Sequence, residues 1–271
     1  MKKYLVIGNP IEHSLSPQLH NYWIKKNNIH ALYEKLKLNN DNLKDLISKV
    51  KKKEINGINV TVPFKKEIIS HLDKLTKDAE ITQSVNTIYL NNDKVIGHNT
   101  DINGFENAIL DTSYNLKEKK IFILGAGGVV PSIILALHKM KASSITLSNR
   151  TKKKATDLKI FFEGITVDLN KINVVDWGEI PNFDMVINAT SVGLKSEDIL
   201  DLDFSKFKDD KFFYDVIYNP EETNFLKKAK RLGNKTENGK RMFIHQAAAS
   251  FKIWHGIHPD IDDKTNDIVT K

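Results

Sequence analysis

The chain has 271 residues, a length that suits two domains of about 100–150 residues each. It contains no cysteine, which excludes disulfide bonds, thiolate metal sites and a cysteine nucleophile. The formal net charge of +7 favours anionic partners. However, the lysine triplets at residues 51–53 and 152–154 lack the interleaved aromatic residues of a nucleic-acid platform, so we do not expect nucleic-acid binding.

No segment has the pattern of a targeting or membrane-spanning element. The N-terminal apolar run ends after about five residues, which is too short for a signal peptide. The longest uncharged stretch, residues 121–137, is interrupted by glycine, proline and serine, whereas a spanning helix needs roughly 20 mostly apolar residues. We therefore expect a soluble, cytoplasmic protein. No histidine–carboxylate spacing suggests a metal site, so we expect no metal and interpret His13 and His20 as structural or surface groups.

The first part of the chain alternates between predicted strands and helices. Residues 4–7 form a short apolar strand that ends at the turn Gly8-Asn9-Pro10, and Ser16 followed by Pro17 is typical of a helix N-cap. The next predicted elements are a strand over 32–38, a helix capped by Asp41 and running to Val50, a strand over 58–62 stopped by Pro63, and a hairpin of strands 85–90 and 94–97.

A second unit is predicted to begin near residue 102. Its elements are an apolar strand over 120–124, a glycine turn, an apolar helix to Met140, a strand over 144–148, a helix from Thr151, strands over 183–188 and 212–216, and a last helix over 242–254. Repeated strand–helix units favour an α/β fold with parallel sheets and helices on both faces.

The turn Gly125-Ala126-Gly127-Gly128 lies between a predicted strand and a predicted helix, which is the context of a dinucleotide-binding turn. Glycines allow the tight turn and let the backbone approach a pyrophosphate, and the helix N-terminus offers free N–H groups. Val130 occupies the third small position, so the match to the motif is imperfect. A plain structural turn remains the alternative.

The strand after this turn ends at Asn149-Arg150-Thr151, where NAD enzymes carry an acidic residue for the ribose 2′-hydroxyl. Arg150 can instead bind a 2′-phosphate with a two-pronged hydrogen bond. Lys154, one helical turn further, adds positive charge on the same side. The pattern therefore predicts NADP rather than NAD, the alternative being a surface arginine and lysine at a helix start.

Four polar clusters precede the glycine turn, and each follows or ends a predicted strand. They are residues 8–17, 59–65, 85–87 and 97–101. Ligands of open α/β sheets bind beyond the carboxyl ends of strands, so these hydroxyls and amides suit a polyhydroxylated ligand. Lys65 suits its acid–base chemistry, and an exposed lysine at a helix start is the alternative interpretation.

Short motifs occur in a fixed order along the chain. They are G-x-P-[IV]-x-H-S-x-S-P at 8–17, N-V-T-x-P-[FY]-K at 59–65, V-N-T at 85–87, N-T-D at 99–101, G-A-G-G at 125–128, N-R-T at 149–151, N-A-T-S-x-G at 188–193, D-x-x-Y-x-P-x-x-T at 215–223 and Q-A at 246–247. In this order and spacing they resemble the shikimate dehydrogenase family over nearly the whole chain.

The resemblance implies reversible NADPH-dependent reduction of 3-dehydroshikimate to shikimate, in the shikimate pathway of aromatic amino acid (chorismate) biosynthesis. It implies that Lys65 and Asp101 form the catalytic pair. The substrate-binding residues it implies are Ser14 and Ser16 for the carboxylate, Asn59, Thr61, Asn86 and Gln246 for the hydroxyls, and Tyr218. The NADP-binding residues it implies are Gly125, Ala126, Gly127, Gly128, Val129, Asn149, Arg150, Thr151 and Lys154, with Val216 and Gly239 near the nicotinamide.

The resemblance also implies two α/β domains with a cleft between them, whose closure would exclude water. The substrate-binding, catalytic domain would comprise residues 1–101, completed by C-terminal helices within 240–271. The Rossmann-type NADP-binding domain would comprise residues 102–239. As partners we expect the small-molecule substrate and, as an option, a second copy of the chain in a homodimer, but neither nucleic acid nor a membrane.

Some positions depart from the family pattern. They are Gln83-Ser84, where Gly-Ala usually precedes V-N-T, Val130 in place of alanine, Lys154 in place of arginine, and Lys240-Arg241 after Asn238-Gly239. Two alternatives within the same sequence pattern stay open. One is an NAD-linked quinate or shikimate dehydrogenase, which Arg150 disfavours. The other is a catalytically silent ligand-binding paralogue, which the presence of both Lys65 and Asp101 disfavours.

Overall fold

The computed structural model describes residues 1–165, 171–195, 197–200, 202–204, 207 and 210–270. The chain forms two compact units: unit 1 is Met1–Gly104 with Ile244–Lys271, and unit 2 is Phe105–Phe243. The divisions fall inside the helices Asp101–Asp111 and Lys240–His255. The predicted divisions, after residues 101 and 239, lie at the starts of these helices. Residue 271 and the gaps between 165 and 210 belong to the predicted domains but lie outside the described residues.

The strands of unit 1 form a mixed sheet. They are β1 (Lys2–Gly8), β2 (Ala31–Lys37), β3 (Gly57–Val60), β4 (Lys74–Leu75), β5 (Thr87–Asn91) and β6 (Lys94–His98). Within the described residues their order is β2-β1-β3-β5-β6-β4. β1 is parallel to β2 and β3, whereas β5 is antiparallel to β3 and β6. The ends of β1, β3 and β6 and the start of β5 therefore meet at one edge, which gathers the four polar clusters.

The strands of unit 2 form a parallel sheet. They are β7 (Lys120–Leu124), β8 (Ser144–Ser148), β9 (Lys171–Val175), β10 (Met185–Asn188), β11 (Phe212–Asp215) and β12 (Lys235–Glu237). Their order over the described residues is β12-β11-β10-β7-β8-β9, and every pair is parallel. This is the doubly wound order in which the chain reverses direction beside the first strand. The glycine turn follows β7, at that reversal.

The helices connect and cover these strands. They are α1 (Ser16–Lys26), α2 (Leu43–Lys51), α3 (Lys77–Thr82), α4 (Asp101–Asp111), α5 (Val130–Lys139), α6 (Lys152–Glu163), α7 (Asn224–Arg231), α8 (Lys240–His255) and α9 (Asp263–Thr270). Together with the sheets they confirm the predicted α/β class. The expected parallel sheet is that of unit 2, while the hairpin of unit 1 makes its sheet mixed.

The predicted hairpin is confirmed and has a two-residue turn. Asn91 pairs with Lys94, and the two residues between them, Asn92 and Asp93, have φ of 48° and 56°. Positive φ at both turn positions is typical of the turn that matches the twist of antiparallel strands. Asparagine and aspartate tolerate this conformation better than other non-glycine residues, which explains the sequence signal.

Several predicted element ends differ from the observed ones by one or two residues, among them the starts of α1 and α2 and the end of β3. Ser16 is the first residue of α1 rather than its N-cap, which is Leu15. Asp41 lies in a short 3₁₀ turn, Asn40–Asn42, so that α2 begins at Leu43 with Asn42 as its cap. β3 ends at Val60 instead of residue 62, because the chain turns after Thr61, whose carbonyl accepts from Phe64 N at 3.0 Å.

The helix after the glycine turn is buried on all sides. Every residue of α5 from Val130 to Leu137 is buried, as expected for a helix between a sheet and further structure in a protein core. This burial anchors the start of the helix, and hence the glycine turn, against β7. No helix in the described chain is both long and apolar enough to span a membrane.

Candidate active site

Lys65 and Asp101 form an ion pair in unit 1. Lys65 Nζ lies 2.5 Å from Asp101 Oδ2, and the exposed fractions of the two side chains are 13% and 8%. Lys65 follows β3 through a tight turn, and its backbone carbonyl accepts a hydrogen bond from Val85 N at 2.8 Å. Asp101 opens α4, where the helix dipole favours a carboxylate. The predicted catalytic pair is thus a preformed contact between an ammonium and a carboxylate.

The carboxylate of Asp101 is held on its other side by amides. Asn86 Nδ2 donates to Asp101 Oδ1 and to Thr100 Oγ1, at 2.9 Å each. Asn86 Oδ1 in turn accepts from Thr100 N at 2.7 Å. Asp101 N donates to Asn99 Oδ1 at 3.0 Å, so the turn before α4 is fixed from both sides. Asn86 was predicted to contact substrate, and here its amide orients Asp101.

The side chain of Asn59 connects several segments of unit 1 by hydrogen bonds. Its Nδ2 donates to Asn86 O at 3.0 Å, Thr87 Oγ1 at 3.2 Å and Ser250 Oγ at 2.9 Å, and its Oδ1 accepts from Tyr33 OH at 2.7 Å. The polar atoms of the Asn59 side chain are therefore engaged inside the protein. Tyr33 and Ser250 were not predicted. Tyr33 occupies a buried position of a strand that was predicted only as half-buried, and Ser250 has the pattern of an ordinary helical serine.

Ser16 and Gln246 join the same network through these two residues. Burial raises the pKa of Tyr33 well above its ordinary value, and a hydrogen bond with the Ser16 side chain opposes this rise. Ser250 Oγ donates to the backbone carbonyl of Gln246, one helical turn earlier, at 3.1 Å. Unit 1 thus brings together Ser16, Gln246 and the amides around Lys65 and Asp101.

The loop after β1 presents the remaining predicted residue of the first cluster. Ser14 is half-buried, and its Oγ accepts from Ser16 N at 3.3 Å. Glu12 fixes this loop, since its carboxylate accepts from Ile11 N at 2.9 Å and from Lys37 Nζ at 2.8 Å. The hydrogen bond from Lys37 is the main reason that the pKa of Glu12 falls to about 2. The loop is therefore tied to the edge strand β2.

Tyr218 lies in a different unit from the other residues predicted to bind substrate. It belongs to unit 2, whereas Ser14, Ser16, Asn59, Thr61, Asn86 and Gln246 belong to unit 1. Its ring stacks on Phe243 with a centroid distance of 4.5 Å. Burial raises the pKa of Tyr218 above its ordinary value, so the phenol stays protonated at neutral pH.

The glycine turn in unit 2 needs glycine at its first position. Gly125 has φ of 113°, and a Cβ placed on it would lie 2.8 Å from the carbonyl oxygen of Ala189. Gly127 and Gly128 are exposed, and a Cβ at Gly128 would meet no atom within 4 Å. Ala126 and Val129 are half-buried beside them. An open backbone at a helix start is suited to a phosphate group.

The cations after β8 fall into two groups. Lys152 pairs with Asp176 and Lys153 with Asp157, at 2.9 Å each. Arg150 and Lys154 are exposed and have no ion-pair partner among the residues that the structure describes. Asn149 and Thr151 flank Arg150, and Asn149 Nδ2 donates to Thr151 O at 2.9 Å. Cations at a helix N-terminus are unfavourable unless an anion is bound near them. The start of α6 is therefore suited to binding an anion.

Val216 and Gly239 are in direct contact. A Cβ on Gly239 would overlap the carbonyl oxygen of Val216, so only glycine fits there. Gly239 N donates to Ile217 O at 3.0 Å. The unusual Arg241 lies beyond this contact and is paired with Glu237 at 3.1 Å and Asp111 at 3.5 Å. The departure from the family pattern therefore leaves the contact itself intact.

Three family profiles match successive parts of the chain. "Shikimate dehydrogenase substrate binding domain" matches residues 6–88, "Shikimate / quinate 5-dehydrogenase" residues 107–215, and "Shikimate 5'-dehydrogenase C-terminal domain" residues 239–263. A shikimate dehydrogenase (NADP(+)) of Pelagibacter ubique is 56% identical over 264 residues, which cover 97% of each chain.

Solved structures agree with these profiles. The crystal structure of shikimate dehydrogenase from Aquifex aeolicus superposes with a TM-score of 0.90 at 38% identity, covering 100% of this chain and 98% of that one. A shikimate dehydrogenase in complex with NADP+ superposes with a TM-score of 0.89 at 36% identity, covering 99% and 95%. The chain belongs to the shikimate dehydrogenase family.

Proposed function

We propose that the protein catalyses the reversible NADPH-dependent reduction of 3-dehydroshikimate to shikimate, within the shikimate pathway that leads to chorismate and the aromatic amino acids. The proposal depends on one observation above all, the 2.5 Å contact between Lys65 Nζ and Asp101 Oδ2 in largely buried surroundings. An ammonium held in this way is suited to a reaction that places negative charge on a carbonyl oxygen.

In this proposal Lys65 is the general acid of the reduction. NADPH supplies the hydride when it is bound. Lys65 holds a proton at Nζ, stabilises the charge that develops on the ketone oxygen and donates the proton to that oxygen; in the oxidation it takes the proton back. Asp101 holds the ammonium through Oδ2, while Asn86 fixes the carboxylate through Oδ1. The pair is thus oriented before substrate binds.

We assign substrate binding and the catalytic pair to the predicted domain of residues 1–101 plus 240–271, which unit 1 largely matches. We assign NADP binding to the predicted domain of residues 102–239, which unit 2 largely matches. Ser14 and Ser16 bind the substrate carboxylate, and Tyr218 is a further proposed substrate-binding residue. Thr61 and Gln246 bind ring hydroxyls. Asn59 and Asn86 use their amide hydrogens inside the protein, which supports a role in shaping the site beside any contact with substrate.

The residues of unit 2 fit NADP. The backbone at Gly127 and Gly128 is open for a pyrophosphate. Among the described residues, Arg150 and Lys154 have no ion-pair partner, so they are available for a 2′-phosphate. The predicted contacts of Gly125, Ala126, Val129, Asn149, Thr151, Val216 and Gly239 complete this proposed cofactor site.

The test is a spectrophotometric assay with shikimate and NADP+ on the wild type and Lys65→Ala. We expect kcat to fall by about 10²–10⁴-fold, because the reacting oxygen loses its acid–base partner, while the Kd for NADP+ stays close to that of the wild type. Lys66→Ala is the matched control, since Lys66 is the exposed neighbour. Unimpaired turnover in Lys65→Ala would refute the assigned role.

Two alternatives are separated by simple measurements. An NAD-linked quinate or shikimate dehydrogenase would turn over NADH at least as fast as NADPH. A catalytically silent paralogue would bind shikimate or NADP+ without converting 3-dehydroshikimate. The cations at Arg150 and Lys154 favour NADPH in the first comparison, and the intact Lys65–Asp101 pair favours turnover in the second.

We include a cytoplasmic location and a homodimer in the proposal. A chain without cysteine is compatible with a reducing compartment. Light scattering after size-exclusion chromatography decides the oligomeric state: a mass of about 31 kDa, that of one chain, would exclude the dimer.

A further inference from the structure

Asp215 is a fully buried carboxylate at the end of β11 that the proposed reaction does not use. Its exposed fraction is 0%. It accepts hydrogen bonds from Thr223 Oγ1 at 2.7 Å, Ile217 N at 3.0 Å, and Asn188 Nδ2 at 3.1 and 3.2 Å. No cation of the described residues forms an ion pair with it. Each of these contacts is a donor, so the site is built for the ionised form.

These hydrogen bonds connect two of the sequence motifs, through residues that have no part in the proposed reaction. Asn188 begins N-A-T-S-x-G, and its Oδ1 accepts from Thr190 Oγ1 at 2.7 Å. Thr223 ends D-x-x-Y-x-P-x-x-T, and it also caps α7 by accepting from Leu226 N at 3.4 Å. Asp215 therefore ties the loop after β10 to the loop after β11.

The same two loops support the proposed cofactor site. A Cβ placed on Gly125 would lie 2.8 Å from the carbonyl oxygen of Ala189, the residue after Asn188. Val216, next to Asp215, donates its N–H to Asn188 O at 3.0 Å and is in contact with Gly239. The glycine turn, Val216 and Gly239 thus all rest on backbone that the Asp215 network fixes.

We infer that Asp215 is a positioning residue for NADP, which sets cofactor affinity by holding the loops after β10 and β11 against the glycine turn. The inference rests on the proposed cofactor site. Asp215 touches none of the residues predicted to grip the phosphates, so its influence passes through Ala189, Val216 and Gly239.

Burial of the ionised Asp215 side chain lowers the stability of the folded protein. Burial raises the pKa of Asp215 from 3.8 to about 6, and the hydrogen bonds of Thr223, Ile217 and Asn188 oppose the rise. The native state therefore takes up a proton more readily than the unfolded chain. This contribution to stability is fully present below pH 3.8 and is lost as the pH rises through 6. Its adjoining ionisable group is Tyr214, whose pKa is raised mainly by burial.

The decisive variant is Asp215→Asn, which has the same shape without the charge. An amide offers one acceptor oxygen instead of two and turns a donor towards Asn188 or Thr223, so the loops should move apart. We expect the Kd for NADP+, measured by titration calorimetry, to rise about tenfold. The Tm difference between the two proteins should be smaller near pH ~4, where the wild-type carboxyl is also uncharged, than at neutral pH.

Two further comparisons separate positioning from general damage. Thr223→Val removes one donor and should weaken NADP+ binding, whereas Thr223→Ser keeps the hydroxyl and should restore it. Asp184→Asn is the matched control. Asp184 lies immediately before the first residue of β10, at the end opposite Asn188, and its carboxylate accepts from Lys120 N at 2.8 Å. It should leave the Kd unchanged.

The inference is overturned if Asp215→Asn binds NADP+ like the wild type, or if Asp184→Asn weakens binding as much. A wild type that fails to bind NADP+ at all would instead overturn the proposed cofactor site, and with it this inference.

Discussion

At the scale of single residues, Arg150 and Lys154, which form no ion pair within the described part of the chain, differ from the lysines between them. Lys152 and Lys153 are neutralised by Asp176 and Asp157, whereas Arg150 and Lys154 are left for an external anion. A charge-assisted hydrogen bond contributes about 1.5–3 kcal/mol. Selectivity for a 2′-phosphate should therefore reside largely in Arg150, whose planar guanidinium can bind two phosphate oxygens.

Arg150→Ala should raise the KM for NADPH by about 10- to 100-fold, the equivalent of that hydrogen-bond energy. The KM for NADH should change little, because NADH has no 2′-phosphate. Steady-state rates with both cofactors provide the measurement, and Lys153→Ala is the control because Lys153 already pairs with Asp157. An equal rise for both cofactors would show that Arg150 supports the fold and not selectivity.

The contact between Lys65 and Asp101 could be anticipated because each residue lies in a short motif that follows a strand. The residues that support them could not. Ser250 lies 191 positions from Asn59 in the sequence, and its hydroxyl meets Asn59, Thr87 and Thr100 only through the packing of α8. Tyr33 likewise follows the pattern of an ordinary buried strand residue. A local motif carries no signal for contacts over such separations.

At the scale of secondary structure, the end of α3 carries a residue in an unfavourable conformation. Gln83 is the C-cap of α3 with φ of 45° and ψ of 40°, the left-handed conformation that favours glycine. Its Nε2 donates to Glu80 O at 2.8 Å, which holds the side chain over the helix end. The segment therefore places a non-glycine residue in a conformation that glycine adopts without strain.

Gln83→Gly should increase the free energy of unfolding by roughly 0.5–1 kcal/mol, because glycine adopts this conformation without steric cost. Urea unfolding measures the change. Gln83→Ala is the matched comparison: it also loses the hydrogen bond to Glu80 but keeps the strained Cβ, so it should be less stable than the wild type. A glycine variant no more stable than the alanine variant would contradict this account.

Most of the long or apolar elements were predicted, whereas several short or polar ones were not. α7 carries five polar or charged side chains among Asn224–Arg231, and its buried side is only Phe225, Leu226 and Ala229. β12, with the sequence Lys-Thr-Glu, is an edge strand of three residues without an apolar pattern. Such elements are stabilised by the neighbours they pack on, and the sequence shows those neighbours only indirectly.

At the scale of the whole molecule, the two sheets differ in how much of their order could be foreseen. The alternating strands and helices of residues 120–148 indicate parallel pairing, which unit 2 has throughout. In unit 1 the local hairpin of β5 and β6 was predicted, but the antiparallel contact of β5 with β3 was not. That pairing joins segments about 30 residues apart, so its direction is set by tertiary packing rather than by local pattern.

The pH dependence of stability has opposite contributions from the two units. In unit 1, His20 is fully buried, and its ring stacks on Tyr33 at a centroid distance of 4.2 Å. Neither ring nitrogen has a hydrogen-bond partner in the described chain. Burial, with a smaller effect of His255, lowers the pKa of His20 from 6.5 to about 3. In unit 2, Asp215 has a raised pKa and acts in the other direction.

For His20 the unfolded chain binds a proton below pH 6.5, whereas the native state does so only near pH 3. Stability should therefore fall as the pH decreases from 6.5 towards 3. His20→Phe keeps an aromatic ring in the stack. In urea unfolding between pH ~4 and ~6, it should reduce the dependence of the free energy of unfolding on pH by up to the effect of one bound proton. His30→Gln, at an exposed histidine, should leave the slope unchanged. Equal slopes for wild type and His20→Phe would mean that His20 is protonated in the folded protein, and the dry aromatic surroundings inferred here would be wrong.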